Sequence, residues 1–594
     1  MAFAKAPSTS KQWIIKPSQS PSSSQNLFVS TKQFSYSNRR KSSSILIFFF
    51  FFLLCLFLSL ILLSSNSNNP PIIAATTTNN RPQSAASEKE FRGQEKIKIG
   101  LINISDNDEG IDDVFDLLGL AEESKQRIET VPIHFDRVGN DVEWTSLFPE
   151  WIDEDEKFKS PKCPDIPMPK TELYTDLNLV IVRIPCKKGI FRDAFRLQAN
   201  LAAARVALAS GWVEEDLLQT VYVAFVGACG PMREIFRCDD LVNPDHTVEG
   251  VSVYKPELRR LKQKILMPFG SCQLAPVYAR TGREVWRNFL LQKAPKTNST
   301  DQQIRIRPKE AYVTILHSSE AYVCGAIALA QSLLLTDTSK DLVLLVDNSI
   351  TNKSLDALEA AGWDIMRFHR IRSPFAEKGS YNEWNYSKLR IWQLVKYDKI
   401  VFIDADLLVL KNIDEFFALP QLSAAANNKM RFNSGLMVVE PSNCLFEDLM
   451  VKSFELKSYN GGDQGFLNEV FTWWHRLPSR INHLKIFQKE NVENNSDPYA
   501  IHYLGMKPWM CYKDYDCNWD KEDHQIFASD SAHAKWWEVY EAMPAELQPF
   551  CGLTKKMDFR LRKWRSFARN SSFPDAHWKI KIKDPRRRRF MDQQ

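Results

Sequence analysis

Lys399-Ile400-Val401-Phe402-Ile403-Asp404-Ala405-Asp406 is the stretch on which the reading of this chain turns. After Lys399 come apolar residues only, the pattern of a strand buried on both faces of a parallel sheet. The run closes on carboxylates at i and i+2, which project to the same side of an extended backbone. Two such groups at the open end of a buried strand repel each other unless a cation joins them. Oxygen ligands suit Mg²⁺ or Mn²⁺, ions that also bind phosphate. The same pair also fits an ordinary strand-ending turn with an Asp as helix cap. The neighbourhood has to decide.

Outward from this strand, residues 311–316 and 342–346 are apolar runs of strand length, and 322–335 and 355–361 follow them with helical spacing. Strands alternating with helices predict βαβ units and a largely parallel sheet. Ligands of such sheets sit beyond the carboxyl ends of the strands, where Asp404 and Asp406 lie. A second region, 95–293, repeats the alternation, with strands expected at 97–102, 179–184 and 221–226 and a helix at 195–208. A Pro/Lys/Asn/Ser-rich linker, 294–308, separates it from a catalytic region, 309–530, and a helical, basic extension covers 531–594.

Two further segments carry polar chemistry. Asn460-Gly461-Gly462-Asp463-Gln464-Gly465 sets an acid and an amide among glycines that admit a ligand close to the backbone. The plainer reading is a glycine-rich turn entering a helix at 466–471. His502-Tyr503-Leu504-Gly505-Met506-Lys507-Pro508-Trp509 offers an imidazole for a metal shell and an ammonium for a diphosphate.

The chain has 594 residues, 44% hydrophobic and 25% charged, an ordinary globular balance. Its net charge of +5 invites a nucleic-acid reading. Seven basic residues and no acid fall within 1–44, so the remainder is net negative and that reading fails. Directly after Arg39-Arg40-Lys41, residues 45–63 are apolar except Ser59. As helix this run spans about 28 Å, the thickness of a bilayer core. The flanking charge keeps 1–44 cytosolic and predicts a single-pass, type II anchor, with a stem at 64–94 that carries no charge as far as Asn80 and everything after about residue 64 lumenal. Asn-x-Ser/Thr triplets at Asn103, Asn298, Asn352, Asn385, Asn494 and Asn570 agree with that compartment, as do ten cysteines beyond the anchor, Cys511 and Cys517 being near enough to pair.

Taken in order, Ala311-Tyr312-Val313-Thr314 with Tyr322 and Gly325, Ser387-Lys388-Leu389, Phe402 to Asp406, Phe432-Asn433-Ser434-Gly435, Gly462-Asp463-Gln464-Gly465 and His502 to Trp509 resemble glycosyltransferase family 8, to which glycogenin belongs. The resemblance implies a GT-A type nucleotide-sugar-binding α/β domain with a mostly parallel sheet, preceded by a second α/β region and the transmembrane helix. It implies Mn²⁺, with Mg²⁺ as substitute, held by Asp404, Asp406 and His502. It implies Lys388 and Asp463 as catalytic residues. The UDP-sugar is expected to contact Tyr322, Lys388, Asp404, Ala405, Asp406, Asn433, Ser434, Gly435, Asn460, Gly461, Gly462, Asp463, Gln464, His502, Gly505 and Lys507. His502 and Lys507 stand one residue closer than in glycogenin, which makes Lys507 the loosest of these correspondences. Family 8 enzymes retain anomeric configuration; Asp463 as nucleophile and an internal-return displacement both stay open.

The anchor, the region 95–293, and the runs 381–388 and 509–519 narrow the resemblance to plant glycogenin-like proteins that place α-glucuronic acid from UDP-glucuronate on O-2 of xylosyl residues of β-1,4-xylan in the Golgi. That implies a xylan acceptor, a Golgi membrane location, no nucleic acid, and complexes with other xylan-synthesis enzymes. Transfer of glucose or galactose to another primer, or a non-catalytic Golgi scaffold, are the competing readings. The aromatic run Trp509 to Trp519 offers either stacking faces for a polysaccharide or core packing. Arg390 and Arg431 are the arginines nearest the motifs for a donor carboxylate. Arg192 to Arg196 and Arg586 to Arg589 read as solvated charge.

Overall fold

The computed structural model describes Phe91 and residues 96–275 and 308–587, apart from 105–109, 121–125, 155–162, 186–190, 215–216, 243–247 and 487–496. The chain divides into two units, Met1–Asn80 and Arg81–Gln594, and every described residue belongs to the second. The expected tail and anchor, most of the stem and nearly all of the linker lie outside the described residues. Among the described residues, no helix is long and apolar enough to cross a membrane.

The first sheet holds β1 (Ile97–Ile102), β2 (Ile128–Pro132), β3 (Leu179–Arg183), β6 (Tyr222–Val226) and β7 (Val251–Tyr254), in the order β2-β1-β3-β6-β7; a hairpin of β4 (Trp212–Glu214) and β5 (Leu217–Leu218) stands apart. All pairings in this sheet are parallel except β6 with β7. The crossover helix Ala194–Gly211 is started by Asp193, whose carboxylate accepts from the Arg196 amide at 2.8 Å. Its alanine-rich sequence is buried on nearly every side, with β3 and β6 of the sheet and the helix Leu258–Ile265 packed against it.

The catalytic region is built on a seven-stranded sheet, β10-β9-β8-β11-β14-β13-β15. Its members are β8 (Glu310–Leu316), β9 (Asp341–Val346), β10 (Asp364–Arg367), β11 (Lys399–Ile403), β13 (Ser423–Ala426), β14 (Phe432–Val439) and β15 (His475–Leu477). Strands β10, β9, β8 and β11 run parallel; β14 is antiparallel to both β11 and β13. Beside the carboxyl edge of β11 lies a small sheet, β12 (Leu407–Val409), β17 (Ala500–His502) and β16 (His483–Leu484). The helix Val323–Leu334 packs under the turn that follows β11. Only glycine at 325 permits this, since a Cβ there would stand 2.3 Å from the Ala405 carbonyl oxygen and 2.7 Å from the Trp509 ring.

One hydrophobic core runs through both regions, and buried polar contacts lock them together. Glu440, 1% exposed by side chain, receives Arg237 at 2.5 Å, Arg260 at 3.2 Å and Lys399 at 3.7 Å. Lys264 bonds the Gln421 carbonyl, and Glu234 accepts from the amides of Thr472 and Trp473 at 2.9 and 3.2 Å. Cys238–Cys444 joins the regions covalently; Cys163–Cys272, Cys324–Cys551 and Cys511–Cys517 are further bridges.

Two sequence expectations change here, and one that stood open between two readings is decided. Arg192 is not idle solvated charge: it pairs with Glu469 at 3.0 Å across the regions. Arg586 is 4% exposed and donates to the carbonyls of Trp509, Cys511 and Cys551, with Asp584 as counter-ion. In the aromatic run, Trp509, Tyr512 and Tyr515 are 6%, 1% and 2% exposed, so they are core and not stacking faces. The 311–316 and 322–335 expectations correspond to β8 and the helix Val323–Leu334 within a residue or so at each end.

Candidate active site

The sheet places one polar cluster at its carboxyl edge. Strand β11 stops at Ile403, and the turn Asp404-Ala405-Asp406 is tied on both sides: the Asp404 amide donates to the Gly435 carbonyl at 2.8 Å, and the Tyr503 amide to the Asp406 carbonyl at 3.0 Å. Antiparallel pairing of β12 with β17 sets Leu407 opposite His502, which carries the imidazole beside the carboxylates. One ligand atom from each of Asp404, Asp406 and His502 lies within 4.8 Å of the others. His502 Nδ1 is 3.0 Å from Asn482 Oδ1, and Nε2 is 3.3 Å from Asp406 Oδ1. The Asn482 contact orients the ring, as the partners of metal-binding histidines do. Glycine at 435 leaves that ring its place: a Cβ there would stand 2.6 Å from the imidazole. Two carboxylates and an imidazole form a donor set that fits a divalent cation of the Mn²⁺ type.

Lys388, on the 3₁₀ segment Asn385–Gln393, is the centre of the second half. Its ammonium lies 3.1 Å from Asp404 and 2.6 Å from Asp463, and 3.2 Å from the Ser434 carbonyl. Ser434 Oγ donates to Asp463 at 2.8 Å, and the Ser434 amide donates to Gln464 Oε1 at 3.2 Å. Asn433 Oδ1 accepts from Asn482 at 2.9 Å and from the Gly435 amide at 2.8 Å. Asn460 Oδ1 accepts from the Gly462 amide at 3.0 Å, while Gly461 has a left-handed φ of 72° that turns the loop into helix Asp463–Val470. Lys507 is buried and donates to Asp406 at 2.6 Å, and Gly505 (φ 71°) makes the turn between it and His502.

The charges are interlocked. Burial raises the Asp404 carboxyl, and the neighbouring Asp406 and Asp463 carboxylates push the same way against Lys388. Burial also works on Asp406, but Lys507 and His502 overcome it and hold that carboxyl below the ordinary range. Burial depresses Lys388, yet Asp404 and Asp463 more than offset it, so the ammonium stays charged. Asp404 is the least covered member, 30% exposed by side chain, and marks the open side of the cluster.

His317, Asp347, Arg370 and Tyr381, which no sequence motif placed among the site residues, complete the surface together with Tyr322. His317 ends β8 and bonds Ser318; the Ser318 amide donates to Asp347 at 3.2 Å, and Arg370 pairs with Asp347 at 3.1 Å while lying over Trp384. Tyr322 stands edge-on to Trp509 and hydrogen-bonds Tyr381, which is 79% exposed and close enough to feel both Asp404 and Asp406. The strand-end rule applied to β8 and β9 would have pointed to His317 and Asp347. Tyr381 and Arg370 sit on irregular backbone with no periodic signal. Arg390 leaves the site: it donates to the His369 carbonyl at 3.1 Å and to Gln393 at 2.8 Å.

Residues 313–512 match the model of glycosyl transferase family 8, and residues 73–272 match the GUX1-5 N-terminal domain. UDP-glucuronate:xylan alpha-glucuronosyltransferase 2 of Arabidopsis thaliana is 48% identical over 513 residues, covering 84% of this chain and 82% of the relative. The chain belongs to glycosyltransferase family 8. UDP-glucuronate:xylan alpha-glucuronosyltransferase 1 of the same plant shares 46% identity with this family 8 chain over 473 residues, covering 77% of it and 68% of the relative. Inositol phosphorylceramide glucuronosyltransferase 1, also from Arabidopsis thaliana, is 39% identical over 163 residues, only 27% of the chain and 30% of the relative. The mostly parallel sheet with its Asp-x-Asp turn is thus the GT-A-like half of a family 8 transferase, whose substrates are a nucleotide-sugar donor and a polysaccharide acceptor.

Proposed function

We propose that this family 8 transferase moves α-glucuronic acid from UDP-glucuronate to O-2 of xylosyl residues in β-1,4-xylan, with retention of configuration. The observation that carries the reading is the 48% identity to a xylan glucuronosyltransferase across both regions, not across the catalytic region alone. The inositol phosphorylceramide relative names the same transferred sugar but a different acceptor, and its match is confined to a fraction of the chain. The donor reading therefore rests on both relatives, and the acceptor reading on the fuller match.

Asp404, Asp406 and His502 would hold Mn²⁺, which when bound supplies charge neutralisation at a diphosphate. The remaining chemistry belongs to side chains. Lys388 meets negative charge developing between the sugar and the leaving diphosphate, and Lys507 keeps Asp406 ionised. His317, Asp347 and Arg370, beyond the ends of β8 and β9, form the cradle for the nucleoside. Asp463 orients Lys388 and Ser434. Its Oδ2 is taken by both, which weakens it as a nucleophile and favours a displacement in which the departing phosphate accepts the acceptor's proton.

The apolar run 45–63 and its basic flank support a type II Golgi anchor with the transferase in the lumen, where association with other xylan-building enzymes would place it at its acceptor. The test of the acceptor is direct. Full-length protein given UDP-glucuronate and Mn²⁺ is offered xylo-oligosaccharides and inositol phosphorylceramide in parallel. Transfer to the oligosaccharide is expected; transfer to the lipid alone would overturn the assignment.

A further inference from the structure

A uronate donor differs from a neutral hexose by one carboxylate, and a site that selects it needs a cation not already committed to another acid. The cations around the cluster can be sorted on that basis. Lys388 is held by Asp404 and Asp463, Lys507 by Asp406, and Arg370 by Asp347. Arg372 is held by Glu383, and Arg390 is turned to the His369 carbonyl and Gln393.

Arg431 differs from all of these. It immediately precedes β14, the strand that carries Asn433, Ser434 and Gly435. Its guanidinium lies 4.0 Å from the centre of the Tyr459 ring. The Tyr459 hydroxyl accepts from Gln464 Nε2 at 2.9 Å, and Gln464 Oε1 accepts from the Ser434 amide at 3.2 Å. The arginine is thus one aromatic ring away from the amide that faces the sugar-binding residues. Among the described residues no carboxylate pairs with it. A guanidinium lying on a ring keeps its planar fork of N–H donors available at the edge, and stacking limits the rotamers it must give up on binding.

We infer that Arg431, held on Tyr459, is a carboxylate-binding subsite that selects a uronate donor over the corresponding neutral hexose. This rests on the proposed glucuronate donor, and it assigns the selectivity to one side chain. Arg431 binds and orients; it takes no proton and makes no bond. Its fork contacts the carboxylate of the donor sugar, while Gln464, bridged by the Tyr459 hydroxyl, holds a sugar hydroxyl in register.

The test compares kcat/KM for UDP-glucuronate and for UDP-glucose in the full-length protein with xylo-oligosaccharide acceptor. Loss of a charged, two-pronged hydrogen bond lowers the ratio about 10- to 100-fold in Arg431→Gln. Arg431→Lys keeps charge but not the fork and should fall between. Arg390→Gln should leave the ratio at the wild-type value. Affinity for UDP, which has no sugar, should be the same in all four proteins. An unchanged ratio in Arg431→Gln would overturn the inference, as would a parallel loss of UDP affinity, which would mark a merely structural arginine. A wild-type enzyme that showed no preference for UDP-glucuronate would instead remove the donor reading itself, and the subsite with it.

Discussion

Glu440→Gln is the sharpest perturbation the fold offers away from the active site. Glu440 closes β14, and its carboxylate is the shared counter-ion of Arg237, Arg260 and Lys399, with Lys264 adding a fourth nearby cation. Burial favours protonating the acid, but those cations hold it well below the ordinary carboxyl range. Removing one partner from a buried ion pair costs about 3–5 kcal/mol, because the remaining charge has no water to turn to. One core runs through both regions, so the loss should register in a shared unfolding transition. At about 1 °C per kcal/mol for a unit of this size, Tm should fall by about 3–5 °C.

The pH dependence follows from the same cluster. Burial lowers the Lys399 ammonium to about 7, and Lys264 to about 8. At pH 6 both are charged and need the acid; at pH 8 Lys399 has mostly shed its proton and needs it less. The Tm deficit of Glu440→Gln should therefore be larger at pH 6 than at pH 8. Glu440's own contribution is present above about pH 4.5 and is lost as pH falls through its depressed folded value. The assay is thermal unfolding of purified protein at both pH values, with Lys411→Met as reference. Lys411 pairs with Asp497 on the surface, 40% and 74% exposed, where a pair is worth about 0–1 kcal/mol. A Glu440→Gln transition within 1 °C of wild type, or equal to that of the surface variant, would refute the reasoning.

Other perturbations separate binding from positioning. Lys388→Met should lower kcat by about 10²- to 10³-fold with a smaller change in KM, in steady-state transfer assays, because its charge matters most as the leaving group develops. His502→Ala should weaken Mn²⁺ binding by calorimetry while leaving unfolding within about 2 °C of wild type, since Asp404 and Asp406 keep their backbone ties. Tyr512→Phe should lower Tm and leave the acceptor KM unchanged, because its hydroxyl bonds Asp558 at 2.7 Å inside the core. Burial depresses the His577 imidazole, but Asp530 and Asp575 outweigh it and raise it; its contribution is full below pH 6.5 and lost as pH rises through the folded value, so His577→Gln should flatten the fall of Tm between pH 6 and 8.

The fold was legible where the sequence is uniform. Strands such as β8, β9 and β11 are apolar on both faces, so their length and the carboxylates at the end of β11 stand out without any partner in view. The link between the regions was not, because its members are charged residues far apart in the chain: Arg237 and Glu440 carry no shared pattern, and Lys399 reads as the polar boundary of a strand. Composition also cannot separate a tryptophan that faces solvent from one that faces a core, which is why the run from Trp509 to Trp519 pointed two ways until burial decided it. In the active site, residues on glycine-marked or strand-end motifs were visible, whereas Tyr381 and Arg370 reach the cluster from loops, and Asn482 from the end of the 3₁₀ segment Ser479–Asn482, whose geometry no local spacing encodes.

The measurement that bears most directly on the central claim offers xylo-oligosaccharides and Mn²⁺ to the full-length protein with UDP-glucuronate, UDP-glucose or UDP-galactose, and reads products by mass and linkage. One α-linked hexuronic acid on O-2 is expected with UDP-glucuronate, and none of it in Asp406→Asn. Transfer of a hexose in its place, or undiminished transfer by Asp406→Asn, would contradict the claim.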